Sequence, residues 1–175
     1  QTLLVFSSLS GAFLAERGAP NIISLVGLLL GGYFAAGGSS ALNMYFEKDI
    51  DKNMGRTKNR PLVEGKLQPK NALVFGIILI VASFLILFTI NNLLAALLAL
   101  LGSFLYVGFY TLYIKQKTVQ NIVVGGAAGA IPPLVGYASI SNSITLEALY
   151  LFLIIFFWTP PHFWALAIMI KDDYE

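Results

Sequence analysis

The chain of 175 residues is 57% hydrophobic and 11% charged, with no cysteine and a formal net charge of +2. Soluble domains carry about 25% charged residues, so an ordinary soluble enzyme is excluded and a membrane protein is indicated. The lack of cysteine excludes disulfides and thiolate metal sites, and so small a net charge gives no reason to expect a nucleic-acid partner.

The charges are clustered. No Asp, Glu, Lys or Arg occurs in 1–15, 21–46, 71–114, 118–146 or 148–170. A spanning helix needs roughly 20 apolar residues. The run 71–114 is too long for one helix and is predicted to break at Asn91-Asn92. The predicted spans are then 1–15, 21–46, 71–90, 93–114, 119–140 and 147–170. A signal peptide would want a basic segment before its apolar core, and none is present, so a spanning helix is expected here. Residue 1 reads as a cut inside the first helix, and the chain stops at "KDDYE" directly after the sixth span. The expectation is an all-α, polytopic transmembrane helical bundle. It forms one membrane domain over 1–175, truncated at both ends.

Small residues let transmembrane helices approach closely. Gly31, Gly32, Gly37 and Gly38 in the second span, and Gly125, Gly126 and Gly129 in the fifth, are read as packing positions. "GGAAGAIPP" lacks the Lys-Ser/Thr of a phosphate-binding loop. Pro132-Pro133 and Pro160-Pro161 are expected to kink their helices.

Numbering the connections alternately across the bilayer puts 47–70, Lys115/Lys117 and 171–175 on one side. Ten of the eleven basic residues lie there, and only Arg17 lies opposite. Lys and Arg mark the cytoplasmic face, or the matrix face in a mitochondrion. Seven of the nine acids share that side. Topology explains the bases but not the acids.

The acids begin in "NMYFEKDIDKNMGRTKNRPL", Asn43 to Leu62. If the second helix continues past Phe46, then Asn43, Glu47 and Asp51 fall at i, i+4 and i+8 on one face. Like charges at that spacing repel unless a cation sits there. Three oxygen side chains at a membrane mouth suit Mg²⁺, which takes one or two carboxylates and completes its shell with water and substrate phosphate. Asp49 points to another face and is available to Lys52, Arg56 or a substrate group. Gly55 is expected to break the helix and Pro61 to restrict the backbone before it. Between them, Arg56, Lys58 and Arg60 offer donors for anionic oxygens. The alternative is a solvated loop with surface ion pairs.

A second acidic cluster, Asp172 and Asp173, ends the sixth span on the same side. Taken alone it is a helix terminus in water. With the first cluster it suggests two metal sites facing each other across a cavity mouth, the arrangement a metal-bridged diphosphate needs. Lys115 and Lys117 either help hold that diphosphate or anchor the topology. His162, the only histidine, lies in "FWTPPHFWALAI" between Trp158 and Phe163-Trp164. It is either a satisfied intramembrane histidine or a group facing a flat aromatic ligand. One His without Cys is too little for a protein-bound haem with two axial ligands.

These residues resemble the UbiA-type intramembrane prenyltransferases. That superfamily carries an Asn, acids at +4 and +8, and then an Arg-Thr-x-x-Arg-Pro segment. Asn43, Glu47 and Asp51 fit, as does "RTKNRPL" from Arg56 to Leu62. Glu47 stands where much of the superfamily has Asp. Within it, "NMYFEKDID", "TPPHFWALAI" and "KDDY" look like the protohaem IX farnesyltransferase branch, over essentially the whole chain. The resemblance implies nine transmembrane helices around a central cavity, of which this sequence supplies roughly the first six. It implies transfer of the farnesyl group of farnesyl diphosphate to a vinyl group of haem b, giving haem O for terminal oxidases. It further implies Mg²⁺ on Asn43, Glu47, Asp51 and Asp173 or its neighbour Asp172. Arg56, Lys58 and Arg60 would hold the diphosphate, with Lys52, Lys115 and Lys117 as further candidates, and His162 is the candidate facing haem. The implied setting is the bacterial cytoplasmic membrane, or the mitochondrial inner membrane, with the site on the cytoplasmic or matrix side. Haem A synthase or terminal oxidase assembly is the implied partner. Three alternatives stay open at this point: a prenyltransferase for a phenolic or quinone precursor, an ion-coupled transporter, and a membrane assembly factor.

Overall fold

The computed structural model describes residues 2–52, 55, 57, 59–114 and 121–169, without the side chains of 121, 122, 124, 166 and 167. Six α-helices follow in chain order: α1 Thr2–Glu16, α2 Ile22–Asp51, α3 Pro69–Ile86, α4 Leu93–Phe104, α5 Asn121–Ser141 and α6 Leu146–Met169. α3 runs on as a π-helix over Leu87–Asn91, and α4 over Leu105–Ile114. No strand occurs among the described residues.

Four of these units are long and apolar enough to cross a membrane: Ile22–Asp51, Pro69–Asn91, Leu93–Ile114 and Leu146–Ala165. The other two helices account for the difference from six predicted spans. α1 is 15 residues long. α5 is 21 residues long and no less apolar than α2, with the side chains of 121, 122 and 124 outside the described ones. Both proline pairs lie inside helices that continue past them.

The predicted break between α3 and α4 falls at Asn92, whose backbone is extended. The two asparagines do separate jobs there. Asn92 caps α4 by accepting from the Ala95 N–H at 2.9 Å, and its Nδ2 donates to the Ala138 carbonyl of α5 at 2.7 Å. Asn91 donates to the Ser24 carbonyl of α2 at 3.0 Å. In a bilayer core no water replaces such bonds, so each ties its helices together.

α5 is the centre of the bundle. It packs against α1, α4 and α6, while α2 pairs with α3 and touches α1. Every residue from Pro133 to Ser139 is buried. The crossing of α1 with α5 is the closest: a Cβ at Gly11 would run into the Pro133 carbonyl, and one at Gly136 into the Ser8 backbone. α2 and α3 also meet through small residues. A Cβ at Gly38 would lie 2.8 Å from the Gly76 carbonyl oxygen, and one at Gly31 would lie 2.5 Å from Leu87 Cγ. The buried Ser83 hydroxyl donates to the Gly31 carbonyl at 2.7 Å. Outward faces are apolar, with Phe75, Ile78, Val81, Leu85 and Phe88 exposed on one flank. That is how a lipid-facing surface is built when packing, rather than burial from water, joins the helices.

Candidate active site

The second helix does continue past Phe46, and it ends at Asp51 rather than at Gly55. The buried Thr57 hydroxyl donates to the Asp51 carbonyl at 3.0 Å, so Thr57 is brought back onto the end of the helix. The same fold-back carries Arg60 onto Asp51, with Nη1 2.6 Å from Oδ2. Leu62 is buried beyond it and anchors the returning loop.

Asn43, Glu47 and Asp51 occupy one inward face, with relative exposures of 8%, 5% and 2%. Asn43 Nδ2 donates to Glu47 Oε2 at 3.0 Å. Thr111, on the π-helical end of α4, lies with its hydroxyl 2.8 Å from Asn43 Oδ1. Two buried acids one turn apart are costly unless positive charge or donors face them. Here an amide N–H faces Glu47 and a guanidinium faces Asp51.

The residues fit a magnesium site by their donors. Two carboxylates and a neighbouring amide supply the hard oxygen ligands that Mg²⁺ accepts, and Asp51 already holds a cation in the form of Arg60. Among the described residues, no three of His, Cys, Asp and Glu group together as a metal cage. The carboxylates assigned to the opposite wall, Asp172 and Asp173, lie outside the described residues. So do Arg56, Lys58, Lys115 and Lys117.

Lys52 does not join the buried face. Its ammonium pairs with Asp49 at 2.9 Å, both side chains being mostly exposed. This is the Lys52 partner that the sequence left open for Asp49. Lys48 lies over the Tyr45 ring at 5.7 Å. His162 stacks on Trp158 with ring centroids 4.2 Å apart and meets Phe163 edge-on at 5.8 Å. Trp158, Phe163 and Trp164 are exposed. α6 packs on α5 and lightly on α1, and the ring contacts of His162 lie within its own helix.

Sequence reading missed Thr57 and Thr111. Thr111 carried a usable signal, since a hydroxyl inside an apolar span needs a partner. Its partner, 68 positions away on another helix, could not be read from local spacing.

The apolar spans mark an integral membrane protein, with an oxygen-rich face and an arginine folded onto it at the end of one apolar helix. The UbiA prenyltransferase family matches residues 4–175, and the chain belongs to that family. It is 51% identical over 174 residues to a protein of Thermus thermophilus named protoheme IX farnesyltransferase, covering 99% of this chain and 29% of the relative. A protein of that name from Chloroflexus aurantiacus is 48% identical over 99% of this chain and 30% of its own length. One from Mycobacterium avium is 49% identical over 99% of this chain and 56% of its own length. The chain thus spans between about a third and about half of these relatives. No solved structure matches it significantly.

Proposed function

We propose that the whole protein transfers the farnesyl group of farnesyl diphosphate to a vinyl group of haem b, giving haem O. The observation that carries this reading is the buried Asn43–Glu47–Asp51 face with Arg60 closed onto Asp51. Its support is the shared name of relatives about half identical over this chain.

On this reading Asn43, Glu47 and Asp51, with Asp173 or Asp172, hold Mg²⁺, and Arg60, Arg56 and Lys58 bind the diphosphate oxygens. Lys115 and Lys117 are further anion ligands from the end of the fourth span. Bound Mg²⁺ would supply neutralising charge for the leaving diphosphate. Arg60 has two states available to it, paired with Asp51 or donating to a phosphate oxygen. Its planar fork suits both. As the farnesyl C1–O bond breaks, the electron pair leaves with the diphosphate, and the bases stabilise that charge where it develops. The apolar bundle keeps water from the allylic cation. The haem vinyl carbon attacks C1, water captures the resulting cation, and one proton is lost to solvent. His162 and its aromatic neighbours offer a flat surface for the haem ring. The site would face the cytoplasm in the inner membrane of a bacterium, or the matrix in a mitochondrion, where haem A synthase or an assembling oxidase can receive the product.

The test uses the full-length protein in membranes with haem b, farnesyl diphosphate and Mg²⁺. Mass spectrometry should find haem carrying a hydroxyfarnesylethyl group, and Asp51→Ala should abolish it. Prenylation of a phenolic acceptor with no haem product would discard the haem assignment and keep the family.

A further inference from the structure

Thr111 lies three residues before the end of the chain's longest uncharged run, 71–114, and is buried at 4% exposure. Threonines in membrane helices ordinarily satisfy their hydroxyl on the preceding turn. Thr89 and Thr159 do so, each donating at 2.7 Å to the carbonyl four residues earlier. Thr111 differs. Its own-helix acceptor is the Tyr106 carbonyl, five residues back at 2.9 Å, in the π-helical register of Leu105–Ile114. Its hydroxyl also lies 2.8 Å from Asn43 Oδ1 on α2, so its proton is shared between the two oxygens.

That contact sets the orientation of the Asn43 amide. With Oδ1 held by Thr111, the amide presents Nδ2 to Glu47 Oε2 at 3.0 Å. The flipped amide would set a carbonyl oxygen against a buried carboxylate. We propose that Thr111 is a positioning residue for the magnesium–diphosphate site: its hydroxyl orients Asn43, and Asn43 holds Glu47 in the geometry that binds the ion. Asn43 Oδ1 accepts from Thr111 through one lone pair and keeps the other for the ion, so Asn43 holds Glu47 and stays available as a ligand. The inference rests on the magnesium reading above. It adds the π-helical end of α4 as the element that sets the site's geometry. Outer partners of this kind tune metal affinity by about 10–100-fold.

The full-length protein in lipid nanodiscs, with a non-reacting farnesyl diphosphate analogue, is titrated with Mn²⁺ and followed by EPR. Wild-type protein that binds no Mn²⁺ would remove the magnesium reading and this inference with it. Given wild-type binding, Thr111→Val should raise the Mn²⁺ Kd at least about tenfold, with thermal unfolding little changed. Thr111→Ser should restore binding to within about twofold, since it keeps the hydroxyl. Wild-type affinity in Thr111→Val would overturn the proposal, as would a Ser variant as weak as the Val variant. Asn43→Asp decides the question even where Thr111→Val fails to fold. It adds a carboxylate but removes the donor to Glu47. Weaker Mn²⁺ binding supports the positioning role, and unchanged or tighter binding overturns it.

Discussion

Asp51 is 2% exposed and its carboxylate meets one guanidinium at 2.6 Å. A buried charge that loses its partner retains its desolvation cost. Arg60→Ala should therefore destabilise the protein by about 1–3 kcal/mol, seen as a lower thermal midpoint in EDTA. Added Mg²⁺ should recover much of that loss in Arg60→Ala and change wild type less, because the ion replaces the missing charge. A midpoint in Arg60→Ala that ignores Mg²⁺ would count against Asp51 as a ligand. Asp51→Ala should lower the rate of prenyl transfer by at least about a hundredfold, measured as product per minute at saturating farnesyl diphosphate. The oxygen face itself was legible in the sequence, because helical spacing alone aligns Asn43, Glu47 and Asp51. That Arg60 closes on Asp51 was not. "RTKNRPL" offers three bases, and the Thr57 bond that turns the chain back accompanies the arrival of Arg60 at Asp51.

At the scale of elements, α5 carries the bundle. Its small residues are what allow α1, α4 and α6 to close around it. Gly136→Ala places a methyl group into the Ser8 backbone, and backbone cannot yield as a side-chain tip can. The expected cost is about 1–3 kcal/mol or more, read as lost thermal stability in detergent. Gly129 offers the control. Nothing lies within 4 Å of a Cβ built there, so Gly129→Ala should leave stability unchanged or slightly raised. Sequence reading named Gly129 as a packing position and passed over Gly11 and Gly136. A glycine's neighbour is set by which helix crosses it, and composition does not encode the crossing.

At the scale of the whole molecule, the proposal is that the connections alternate across a membrane, with the acidic mouth on the side rich in bases. The chain has no native cysteine, so single introduced thiols report topology without background. Lys66→Cys and Ser143→Cys, both exposed, should label from opposite faces of sealed vesicles with a membrane-impermeant maleimide. Lys66→Cys should react from the cytoplasmic side. Labelling of both from one face would overturn the alternating topology.

The sequence by itself determined the membrane class, the helix order, the Asn91-Asn92 break and the line of oxygen-bearing side chains. Each follows from chain-local physics: desolvation of a run of side chains, or the 3.6-residue period of one helix. Tertiary structure alone decided that α5 is central, that Gly11 and Gly136 meet it or α1 at backbone distance, and that Thr111 reaches Asn43. It also decided that α4 ends in a π-helix. Those outcomes depend on which faces of sequence-distant helices come together, and close packing among all six settles that at once.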